Sequence, residues 1–70
     1  MNRINPRKLL DSKWTAVAPQ NKEKHFLVTR LIREEDTIVA CVLEAVHSKR
    51  EQTVPWRALQ DDGVWRMGWK

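Results

Sequence analysis

Four tryptophans, one cysteine and two histidines are the side chains of this 70-residue chain best suited to specific chemistry. A thiolate nucleophile needs an accessible, electropositive setting. Cys41 instead lies inside Ile38-Val39-Ala40-Cys41-Val42-Leu43, the longest apolar run, and reads as a buried structural thiol. Ser12 or Ser48 could be combined with His25 or His47 and a carboxylate, but no nucleophile-elbow motif accompanies them. The single Cys and the two His are too far apart in sequence for a zinc spacing. His25, after Lys22-Glu23-Lys24, reads as a solvated strand entrance, and His47 as a turn residue. With Gly63 and Gly68 as the only glycines, no phosphate-cradling loop is present. These readings point away from an enzyme and imply no cofactor and no metal.

Aromatic and charged residues carry the stronger signal. Trp14, Trp56, Trp65 and Trp69 are four of the five aromatics, and each ring can bury roughly 150–250 Å². Core packing is the plain reading for Trp14 and Trp56. Four large rings are hard to bury fully in so small a domain, so at least one should stand partly exposed. Trp65 and Trp69 share a strand parity, which predicts one face for both, one finishing the core and the other at its rim. A rim tryptophan beside Lys or Arg is a stacking platform for a base or a partner's side chain. The formal charge is +4, unevenly spread. Residues 1–30 carry net +5, residues 31–47 net −3 and residues 48–70 net +2. The basic first third and the Lys49-Arg50 turn could together form a surface for phosphates.

The elements that must position these residues read as strands. Asn5-Pro6-Arg7-Lys8-Leu9-Leu10 predicts a short helical turn, with Asn as cap, Pro in the first position and the leucines pinning it to a core. Five strands are then expected at Lys13–Val17, His25–Ile32, Thr37–Val46, Gln52–Leu59 and Val64–Lys70, parted by polar breaks. The first break, Pro19 to Lys24, has no large apolar residue. Pro55 cannot donate to a ladder, so the fourth strand should be an edge or carry a bulge. Asp61-Asp62-Gly63 is a turn signal. The third segment also fits a helical spacing through Val39, Val42, Leu43 and Val46, and a helical 37–46 would make the fold α+β. Its many β-branched residues favour a strand. The expected fold is thus all-β, one domain over residues 1–70: a five-stranded antiparallel meander curled into an SH3-like barrel, with a short N-terminal helical turn.

Asn5 to Val17, Glu23-Lys24-His25-Phe26, Val54-Pro55-Trp56-Arg57-Ala58-Leu59 and the closing Trp65-Arg66-Met67-Gly68-Trp69 together resemble the small tryptophan-rich proteins of bacteria, a family of unknown function. The resemblance spans nearly the whole chain. It implies a bacterial cytoplasmic protein that stands alone as a small chain. It brings no assigned activity and no functional residues.

A single cysteine excludes a disulfide framework. No stretch nears the roughly 20 apolar residues of a membrane span, and the basic N-terminus lacks an apolar h-region. The expectation is a cytoplasmic protein without membrane contact, a monomer or weak homodimer. The leading functional reading is a non-enzymatic binding module for single-stranded or structured RNA. Lys13, Lys22, Lys24, Lys49, Arg50 and Arg66 would neutralise phosphate, and Trp65 or Trp69 would stack on a base. The alternative is a protein-interaction module that receives a peptide in a tryptophan groove or on an exposed strand edge.

Overall fold

The N-terminal turn forms where the Asn-Pro pair places it. In the computed structural model, which describes residues 1–70, a 3₁₀ turn η1 spans Pro6–Lys8. The Asn5 side chain accepts a hydrogen bond from the Arg7 N–H at 3.1 Å, and Pro6 opens the turn without an N–H to satisfy. Of the two leucines that follow, Leu9 is buried and pins the turn, whereas Leu10 is exposed.

Five antiparallel strands follow: β1 (Lys13–Gln20), β2 (Glu23–Glu34), β3 (Thr37–Ala45), β4 (Glu51–Pro55) and β5 (Trp65–Met67). A second 3₁₀ turn, η2 (Trp56–Gln60), separates the last two. The fold is all-β, with strand order β4-β3-β2-β1-β5. The last strand returns to the free edge of the first, but the expected closure into an SH3-like barrel does not occur. The sheet stays open, because β4 and β5 form its two edges and do not pair. Side-chain packing replaces the missing ladder: η2 lies against β3, β4 and β5, with Leu59 fully buried.

Residues 37–45 are strand, not helix. Cys41, Leu43 and Ala45 alternate toward the core, while Val42 points to the other face, its register partners being Arg30 and Thr53. Val42 is buried there too, which explains why the segment is apolar on both parities.

The fourth expected strand is shorter than its pattern. It ends at Pro55, and Trp56–Gln60 turn into η2. Proline removes the next ladder donor, and the turn lets Leu59 plug the core, which a continuing edge strand would not. Pro55 does sit on an edge strand, as its missing N–H requires. The expected break from Pro19 to Lys24 shrinks to a two-residue hairpin turn, Asn21-Lys22, both with positive φ (55° and 63°). That is the handedness a tight hairpin needs. The last strand also stops early, at Met67.

The core gathers Leu9, Trp14, Phe26, Val28, Cys41, Leu43, Ala45, Leu59 and Trp65. Phe26 meets Trp65 edge-to-face, with centroids 5.1 Å apart. Cys41 is sealed within this core, and burial pushes its thiol pKa up, away from the reactive thiolate. No helix is long and apolar enough to cross a membrane. No three His, Cys, Asp or Glu side chains gather as a metal-ion group.

Candidate functional site

The two C-terminal tryptophans part company. Trp65 is only 8% exposed and packs on Phe26, so it offers no surface for stacking. Trp69 is 44% exposed. Their shared parity predicted one face for both, but Gly68, at φ +82°, breaks the alternation between them. Along β1 and β2, Lys13, Thr15 and His25 alternate with inward-facing Trp14 and Phe26, and so stand on the outer face. Trp69 crosses to that face.

A set of hydrogen bonds holds it there. The Gly68 N–H donates to the Lys13 carbonyl at 2.7 Å. The Thr15 hydroxyl donates to the Gly68 carbonyl at 2.7 Å and accepts from the Lys70 N–H at 2.9 Å. The Trp69 indole N–H donates to the Phe26 carbonyl at 3.0 Å. The ring lies 5.9 Å from that of His25, tilted by 43°, and the Lys13 ammonium sits 4.8 Å from its centroid. The indole's one polar atom is thus satisfied within the protein, and its π surface is presented beside a cation. His25 is part of this cluster rather than a solvated strand entrance, and its Nε2 is buried without a hydrogen-bond partner. Arg66, exposed on β5 opposite Thr15, shares the outer face.

Gly68 is the hinge of this arrangement. A Cβ there would meet nothing within 4 Å, so the cost of a side chain is purely conformational. Gly68→Ala is expected to destabilise the fold by about 1 kcal/mol, the usual penalty for an L-residue at positive φ. It should also loosen Trp69, read as lost fluorescence anisotropy of the indole.

The other expected phosphate contacts lie elsewhere. Lys22 is in the β1–β2 turn, Lys24 at the start of β2, and Lys49 and Arg50 precede β4. Glu23 draws these turns together. It is buried, accepts a hydrogen bond from the Ser48 hydroxyl, and pairs with Arg50 Nε at 3.2 Å. Arg50 therefore pairs with Glu23 across these turns at one end of the sheet and is not a free cation. Beside this pair opens a cavity of about 290 Å³, floored by Ala16, Ala18, Phe26 and Trp65. Its rim mixes Glu23 and Glu51 with Arg50, which does not suit a polyanion. The expected site residues thus divide into an outer-face group of Lys13, Arg66 and Trp69, a turn group of Lys22, Lys24, Lys49 and Arg50, and the core residue Trp65.

A family model described as "Tryptophan-rich protein (DUF2389)" matches residues 12–70. The chain belongs to this tryptophan-rich family of unknown function. The DUF2389 match takes in all five strands and all four tryptophans, and leaves η1 outside. The elements that place Trp69, from β1 and β2 to the C-terminal segment, are therefore all family elements. No curated protein and no solved structure matches the chain.

Other residues escape a reading along the sequence. Arg7, Arg33 and Arg57 come from η1, the far end of β2 and η2, yet they line one groove with Trp56. The only local signal is the neighbouring Trp56-Arg57 pair. Arg7 and Arg33 are brought in by tertiary structure.

Proposed function

We propose that this DUF2389 chain is a non-enzymatic module that binds single-stranded RNA on the outer face of its sheet. One observation carries the reading: an exposed tryptophan is held rigidly beside a lysine. Ordering Trp69 in advance means that a base can stack on it without first paying to immobilise the ring. Lys13 lies over the ring, Arg66 stands on the same face of the sheet, and Lys70 follows Trp69 in the chain, which supplies cations for the sugar-phosphate chain. Against catalysis stands the chemistry of the remaining groups: the only thiol is sealed in the core, and the buried nitrogen of His25 engages no hydroxyl.

The test is a titration with mixed-sequence single-stranded RNA, followed by tryptophan fluorescence. Three phosphate contacts imply a slope of about −2 in log affinity against log salt, so binding should weaken roughly 20-fold between about 50 and 200 mM salt. Trp69→Ala should fold, since the ring contributes little to the core. It should bind roughly 5- to 150-fold more weakly, the value of one stacked base. Absence of saturable binding at the lower salt, or unchanged affinity in Trp69→Ala, would overturn the reading.

A second reading rests on the open sheet. The outer edge of β4 offers unpaired backbone groups to an added peptide strand. Its exposed Glu51, Gln52 and Thr53 and its terminal Pro55 blunt that edge, which places this reading second. Peptide addition would depend little on salt, in contrast to RNA.

A further inference from the structure

We infer that the groove between η1, the β2–β3 hairpin and η2 is a separate site for a phosphate ester carrying a planar ring, as in a nucleotide. The groove is an open concavity of about 810 Å³ and shares no residue with the Trp69 cluster. Three arginines, Arg7, Arg33 and Arg57, line it against one acid, Asp36. The only arginine in an ion pair is Arg50, with Glu23, so all three groove arginines lack a carboxylate partner. Each guanidinium carries five N–H donors in a fixed fork that matches phosphate oxygens. Three exposed forks, brought to one concavity by segments far apart in sequence, give it a surplus of positive charge that favours an anion.

The groove also has an aromatic wall. Trp56 is half-buried and packs against the core, which fixes its ring. The Arg57 guanidinium lies 5.2 Å from the ring centroid. A guanidinium in such a cation–π contact still has N–H groups free to donate to an oxygen ligand. Buried Ile38 adds an apolar surface beside the indole. Cationic forks, an indole and an aliphatic patch together match a phosphate attached to a flat, partly apolar ring better than they match a bare anion.

The four indole N–H resonances of the ¹⁵N-labelled full chain give a direct test. Trp56→Phe identifies the Trp56 signal. The probes are inorganic phosphate, AMP and a short single-stranded oligouridylate. AMP or the oligonucleotide is expected to move the Trp56 resonance saturably, while that of Trp14, bonded to the Ser12 hydroxyl, stays in place. Tighter binding of AMP assigns the site to free nucleotides, and tighter binding of the oligonucleotide assigns it to a strand. Arg7→Gln/Arg33→Gln, at two exposed positions, should keep the fold and weaken binding about tenfold or more, given the strength of charge-assisted hydrogen bonds. The shift should persist in Trp69→Ala, which keeps this inference apart from the outer-face proposal. A Trp56 signal that none of the probes moves, or unweakened binding by the double variant, would sink the site. Loss of the response in Trp69→Ala would show that the two surfaces are not separate. Inorganic phosphate binding as tightly as AMP would overturn the role given to Trp56.

Discussion

Replacing Trp14 with alanine is expected to leave the chain largely unfolded at 25 °C. A 70-residue domain has roughly 4–10 kcal/mol of stability, and small domains fall at the low end because they bury a smaller share of their surface. Trp14 is 1% exposed and is the largest fully buried side chain. Truncating a buried tryptophan to alanine costs about 3–5 kcal/mol through lost transfer energy and the cavity left behind. The Ser12 hydroxyl also loses the indole N–H that donates to it at 2.8 Å. These losses are comparable with the whole stability. Far-ultraviolet circular dichroism should show no cooperative thermal transition in Trp14→Ala, whereas Trp14→Phe should retain one at a lower midpoint. A cooperative transition close to that of the parent would refute Trp14 as the centre of the core.

Leu59→Ala should be the next most damaging change, at about 3–5 kcal/mol for a fully buried leucine. Its position in η2 gives this loss a particular form. The two edge strands share no ladder, so the side chains of η2 are what joins them across the open side of the sheet. Removing the plug should free β5, and with it Trp65, before the longer β2–β3 hairpin opens. Hydrogen exchange should therefore accelerate most at Trp65–Met67 and least in the middle of β3. Uniform acceleration along the chain would show that η2 is not a local clasp. If the chain is marginal at 25 °C, the same ordering can be read in Leu59→Val, which keeps most of the side chain.

These two expectations show which parts of the molecule were legible in one dimension. Alternation of side-chain type set the number of strands and their order along the chain, because burying one face of a sheet imposes a period of two. The Asn5-Pro6 cap, the confinement of Pro55 to an edge or a bulge and the buried role of Cys41 were equally legible, since each follows from the residue's own backbone or solvation chemistry. The break at Pro19 to Lys24 was legible too, but not its tightening to Asn21-Lys22, because a lysine at positive φ is held there by the strands on either side rather than by its own preference. Nor was η2 legible, since Trp56, Ala58 and Leu59 fit an extended strand until Pro55 ends the ladder and the core claims Leu59.

The candidate site divides along the same line. By itself the sequence determined that the protein is an all-β chain with a positive balance and more indole surface than a small core absorbs. Only the tertiary structure decided that Trp65 closes the core while Trp69 crosses to the outer face, that Arg50 pairs with Glu23, and that Arg7, Arg33 and Arg57 line one groove with Trp56. Strand periodicity is a local property, imposed residue by residue through backbone geometry. The side of the sheet a ring finally occupies, and the company an arginine keeps, depend on bulges, one glycine at positive φ and contacts between distant segments.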